Sequence, residues 1–103
     1  MVVKLNKQGT KQWVKVLGGS GSDEGVSCMQ TADGGFLILG NAHSSNGDVI
    51  GLHSNSQDVW VVKLNYLGQI EWQKCYGGSS NDFANKIIPS NDGGFYVSAT
   101  TYS

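Results

Sequence analysis

Arginine is absent from the 103 residues, and charge of either sign is scarce. Seven lysines face eight aspartates and glutamates, for a net charge of −1. Nucleic-acid binders carry a basic stripe that neutralises phosphates. This chain has none, which excludes nucleic acid as a partner. Long apolar runs are also missing. None approaches the roughly 18 residues that span a bilayer as a helix, so no membrane insertion is expected. The N-terminal Met1-Val2-Val3-Lys4-Leu5-Asn6 lacks the apolar stretch and small-residue cleavage site of a signal peptide. Two cysteines identify no redox compartment, and a single proline, Pro89, falls near the end of a candidate strand, where a missing N–H is tolerated. The chain has room for one modest domain.

What fills the space instead is 15 glycines and many Ser and Asn, arranged in a repeat. Sliding the chain by 59 positions lays Val2–Ser44 on Val61–Ser103 without a gap. Val-Val-Lys-Leu-Asn (2–6) falls on 61–65, Gly9 on Gly68, Trp13 on Trp72 and Lys15 on Lys74. Further along, Gly-Gly-Ser (18–20) falls on 77–79, Asp23 on Asp82, Asp-Gly-Gly-Phe (33–36) on 92–95, and Ser44 on Ser103. The chain therefore reads as two copies of one unit, 1–44 and 60–103, joined by a connector at 45–59. Met1 stands where the second copy has Trp60. The first copy thus opens mid-motif, as expected of a piece of a longer array or a unit meant to assemble.

Turn chemistry cuts each copy into four short strands. In the second copy they are 60–65, 69–76, 83–89 and 95–101; in the first, 2–6, 11–17, 25–31 and 36–42. β-Branched and aromatic residues alternate with polar ones in these pieces, and no stretch holds a 3.6-residue period. Asn65-Tyr66-Leu67-Gly68 reads as a tight turn with Gly68 at positive φ, and Asn91-Asp92-Gly93-Gly94 as a hairpin. The fold class expected is all-β: two four-stranded antiparallel β-propeller blades, one per repeat, completing a ring by oligomerisation. A β-helix would need a much shorter coil, and a trefoil or sandwich would not need this internal identity.

Trp13 and Trp72 each follow a turn glycine, Gly9 and Gly68, by four residues. Repetition in register favours structural blade docking by these four residues over an exposed binding Trp. The run Val-Val-Lys-Leu-Asn-x-x-Gly-x-x-x-Trp resembles the blade motif of bacterial propellers of the quinoprotein type. With Gly-Gly-Ser-x-x-Asp and Asp-Gly-Gly-Phe added, the unit is similar to the tandem repeats of large secreted surface proteins of Bacteroidetes-like bacteria. That resemblance covers essentially the whole chain and implies a propeller in an extracellular or cell-surface setting. It carries over no quinone chemistry, because the cofactor-pocket and metal-ligand residues have no counterparts here.

The Gly-Gly-Ser pairs at 18–20 and 77–79 lack the helix N-terminus and adjacent Lys of a phosphate loop and read as turns. Asp23 and Asp82 sit just ahead of a strand, where a carboxylate accepts loop N–H groups. No second carboxylate pairs with them in the motif for acid–base work. The polar connector offers calcium candidates, Asn46, Asp48 and Asp58, against the plainer reading of a loop whose Asp and Asn cap turns. It lacks the closing Glu and sixth-place glycine of an EF-hand. His43 and His53 have no cysteine near them in the loop, which disfavours zinc. Cys28 aligns with Ile87 and Cys75 with Val16, as small apolar substitutes do; a disulfide between them is open but not implied.

Two blades alone leave apolar flank uncovered, including Phe36, Ile38, Phe95 and Val97, so self-association is expected, three or four chains to a ring. The functional expectation is a non-catalytic extracellular module for binding or adhesion, with a glycan or a surface protein as partner. A purely structural spacer or filament subunit is the alternative, and no enzyme or cofactor is expected.

Overall fold

The computed structural model describes residues 1–19, 23–43, 57–77 and 81–101. Within them the chain is all-β, with antiparallel sheets and no helix. β1 (Val2–Leu5) and β2 (Lys11–Lys15) form one hairpin. β3 (Glu24–Gln30), β4 (Phe36–Ala42), β5 (Asp58–Leu64) and β6 (Ile70–Tyr76) form a four-stranded sheet in sequence order. β7 (Asp82–Pro89) and β8 (Phe95–Thr101) form a second hairpin.

The duplication is exact down to irregularities of register. The β1–β2 ladder shifts between Lys4 and Leu5, and β5–β6 shifts between their counterparts Lys63 and Leu64. Likewise β3–β4 shifts between Gly25 and Ser27, and β7–β8 between Ala84 and Lys86. The turns repeat as well. Asn6 closes β1–β2 by accepting from Gly9 N–H at 2.9 Å, as Asn65 accepts from Gly68 at 3.0 Å. Gly68 has φ of 86°, the left-handed conformation that closes a short hairpin of this kind.

The central sheet is covered on both faces. One face presents Ile38, Trp60, Val62, Leu64 and Cys75 to Val2 and Trp13 of the first hairpin and to Leu17 just after it. The other presents Leu37, Leu39, Val59 and Val61 to Ala84, Ile87, Phe95 and Val97 of the last. Every residue of β5 is therefore buried, and both sides of the strand must be apolar or paired. Each buried Leu or Val contributes about 1.5–3 kcal/mol by leaving water, so the centre of the stack carries most of the stability.

This partition overturns the expectation of one four-stranded blade per repeat. The sheets contain two, four and two strands, and the full one is built from the second half of the first copy and the first half of the second. Taken singly, the chain is neither a pair of blades nor a ring. The physical reason is the choice of partner for β4. It pairs with β5 along its whole length, Phe36 opposite Leu64 through Ala42 opposite Asp58. The step from sheet to sheet falls at the shorter loops, after β2 and after β6.

Candidate functional site

Two side-chain groups are built from residues that repeat in register: one joins the first hairpin to the central sheet, the other lies within the central sheet.

The first is built on Trp13. From β2 its indole lies across the β5–β6 turn, and its Nε1 donates to the Tyr66 carbonyl at 3.3 Å. The ring sits so close that a Cβ on Gly68 would lie 3.0 Å from Trp13 Cδ2. It also meets Phe36 edge-on, with centroids 5.6 Å apart and planes at 70°, a favoured aromatic geometry. Gly68 is buried, whereas Gly9, its counterpart, is exposed with open space above it. Trp72, the counterpart of Trp13, stacks near Phe95 at 6.3 Å and is 38% exposed.

The second is built on Lys63. Its ammonium donates to Glu71 Oε1 at 2.7 Å, to Asp33 Oδ2 at 3.1 Å and to the Leu64 carbonyl at 3.1 Å. Burial alone would lower its pKa; hydrogen bonds and charge from Glu71 and Asp33 outweigh that and leave it raised. Asp33 is held down at about 2, first by the Thr31 hydroxyl, then by the Gly35 N–H and by Lys63. The group ties the β3–β4 turn to β5. Gly35 is required there because a Cβ would overlap the Leu64 carbonyl oxygen. The counterparts are less covered: Lys4 is half-buried and Asp92 exposed. Lys4 reaches only Gln12 and its own strand's Leu5 carbonyl among the described residues, each at 2.9 Å. Asp92 is held below its usual range by Ser90 and the Gly94 N–H.

A depressed carboxylate stabilises the fold above its ordinary pKa and loses that contribution as it protonates. Stability should therefore fall between pH 3.8 and about 2. Asp33→Asn should flatten this limb in acid denaturation followed by circular dichroism, and an unchanged limb would contradict the assignment.

The other candidates are placed as follows. Asp23 accepts from Gly19 N–H at 3.1 Å and His43 N–H at 2.8 Å, tying the loop after β2 to the end of β4. Asp82 is buried at the start of β7, its N–H donating to the Gln57 carbonyl at 2.9 Å. Asp58 lies fully buried at the start of β5 rather than in the connector. Asn46, Asp48 and His53 lie outside the described residues. No three His, Cys, Asp or Glu side chains gather into a cluster among the described residues. An open cavity of about 430 Å³ lies between β5 and β8, lined by Val59, Val61, Asp82, Phe95, Val97 and Ala99 among others.

Cys28 and Cys75 are not joined in a disulfide. Cys28 is exposed. Burial, with the charges of Asp58 and Asp23, pushes the Cys75 thiol up to about 11. Because the thiolate is the nucleophile, an aromatic disulfide reagent near neutral pH should titrate one thiol, Cys28, in the folded chain. The second should appear only on unfolding; two fast thiols would contradict the burial of Cys75.

This geometry holds the first hairpin against the central sheet and ties a turn and two strands of that sheet together. Among the described residues, nothing covers Gly9 as Trp13 covers Gly68. Sequence reasoning missed Lys63 and Asp33, although both lie in repeated runs. Comparison with protein-family models and with curated proteins finds no match.

Proposed function

We propose that the chain is a non-catalytic, extracellular binding or adhesion module that works as a homo-oligomer. One observation carries the reading: of the two copies of the Val-Val-Lys-Leu strand, the one in the central sheet is buried throughout and the one in the first hairpin is not. Leu64 is 0% exposed and Leu5 50%; Val62 is 1% exposed and Val3 41%. Unpaired apolar strand edges are a liability that proteins cover or cap, and here the chain carries both halves of the sheet that would cover them. Three such chains would supply six sheets and four would supply eight, within the range of closed propellers. The resemblance to tandem repeats of secreted surface proteins supports the extracellular setting. A glycan or a surface protein is the partner class that fits, presented with polar loops on a rigid stack of sheets.

Light scattering of the purified chain tests the assembly, and a glycan array with surface-protein pull-down tests the binding. Masses at three or four times the 11.0 kDa chain are expected, with retention of a discrete ligand set. A monomer at all concentrations would refute the assembly. Unbounded growth would mean that the rotation per chain fails to close, giving a filament instead.

A further inference from the structure

We infer that the chain joins a second copy of itself head to tail through a defined strand pair, β8 of one copy with β1 of the next. The inference rests on the self-assembling reading above and assigns its contact surface. Four contacts made once inside the chain have both of their counterparts present and unjoined at its ends.

The first is the ladder itself. Inside the chain β4 pairs with β5, Leu37 opposite Lys63, Ile38 opposite Val62 and Leu39 opposite Val61. β8 is the repeat of β4 and β1 the repeat of β5. Among the described residues β8 pairs only with β7 and β1 only with β2. Shifting the observed register by the repeat sets Tyr96 opposite Lys4, Val97 opposite Val3 and Ser98 opposite Val2 of the second copy.

The second contact is ionic. Asp33 bonds Lys63 across the β4–β5 pair at 3.1 Å. Its counterpart Asp92 would meet Lys4 of the second copy, pairing an exposed carboxylate with a half-buried ammonium. The third is aromatic. Trp13 covers Gly68 while touching Phe36. Trp72 already touches Phe95, and the open space above Gly9 of the second copy is the missing seat. The fourth is steric. Gly35 has no room for a Cβ because of the Leu64 carbonyl, whereas Gly94 faces only side-chain atoms of its own turn, 3.2 and 3.3 Å from such a Cβ. Gly94 is thus needed only if the Leu5 carbonyl of a second copy arrives beside it. β1 and β2 of that copy would also extend over the open cavity between β5 and β8, continuing the hairpin that now ends there.

Such a contact uses different surfaces on the two partners, so every copy keeps one donor end and one acceptor end.

The register is the falsifiable part. Directly opposite residues in an antiparallel pair have Cα atoms about 4.5–5.5 Å apart, within disulfide range. In a Cys28→Ser, Cys75→Val background, Lys4→Cys with Tyr96→Cys should give a disulfide-linked ladder of multimers under mild oxidation. Val3→Cys with Tyr96→Cys, one residue out of step and pointing to the other face, should give none. Gly94→Ala should lose assembly while circular dichroism stays that of the folded chain. The same samples are sized by sedimentation without oxidant. A monomer there overturns both the joint and the self-assembling reading. Association with equal linking by both pairs, or with Gly94→Ala assembling as well as the parent, overturns the joint alone.

Discussion

Leu64→Ala is expected to destabilise the dilute chain by about 2–5 kcal/mol, the cost of deleting a fully buried leucine and leaving its cavity. The same change at Leu5 is expected to cost less than about 1 kcal/mol there, as exposed substitutions do. The two leucines sit in two copies of one five-residue run, at the equivalent register shift of β1–β2 and β5–β6. Only their neighbours differ. Leu64 is covered because β5 has β4 beside it and a hairpin on each face, whereas among the described residues Leu5 has only β2 beside it. Urea unfolding at low protein concentration measures both, since the slope against denaturant reports whether the unfolded surface has changed. At high concentration the Leu5→Ala cost should grow, because a second copy would cover that side chain. Equal losses at the two sites in dilute chain would contradict the burial on which the account stands.

Trp13→Ala is expected to cost about 2–3 kcal/mol, below the 3–5 of a wholly buried aromatic because Trp13 is only partly covered. Its indole holds the first hairpin to the central sheet through Phe36, the face of Gly68 and the Tyr66 carbonyl. Loss of the ring should therefore loosen β1–β2 while β3–β6 persists, so that limited proteolysis cuts first in the N-terminal hairpin. Trp72→Ala should cost less in the dilute chain, because Trp72 is 38% exposed and, among the described residues, has no glycine seat like Gly68 against its ring. A Trp72 effect as large as that of Trp13 would mean that Trp72 already has a seat within the single chain.

The strands and turns were legible because their signals are local. Asn-x-x-Gly and Asp-Gly-Gly mark turns whose backbone demands those residues, and alternation marked β1, β2, β6 and β7 within a residue or two. β5 begins earlier than expected, at Asp58 rather than Trp60, because a buried aspartate does not read as strand. Pairing between strands was not legible. The sequence contains a short Gly-Gly-Ser loop and a long polar connector, and a long connector suggests a step between sheets. The structure does the reverse: β4 pairs with β5 across the connector, and the short loop changes sheets. Loop length sets no hydrogen-bond partner, so one repeat could be cut into a sheet at either loop with the same residues. The Lys63 group was lost for a related reason. The Asp-Gly-Gly setting of Asp33 reads as a turn, and its second task appears only once β5 lies beside that turn. Glu71 gave no repeat signal, because its counterpart is Gln12.

Amide hydrogen exchange across protein concentration tests most directly whether the two ends complete each other. Leu37–Leu39 and Val61–Leu64 should be protected at every concentration, being paired on both sides. Val2–Leu5 and Tyr96–Ala99 should exchange quickly in dilute chain and gain protection together as copies join. End strands that stay fast at all concentrations, or that gain protection at one end only, would contradict the account.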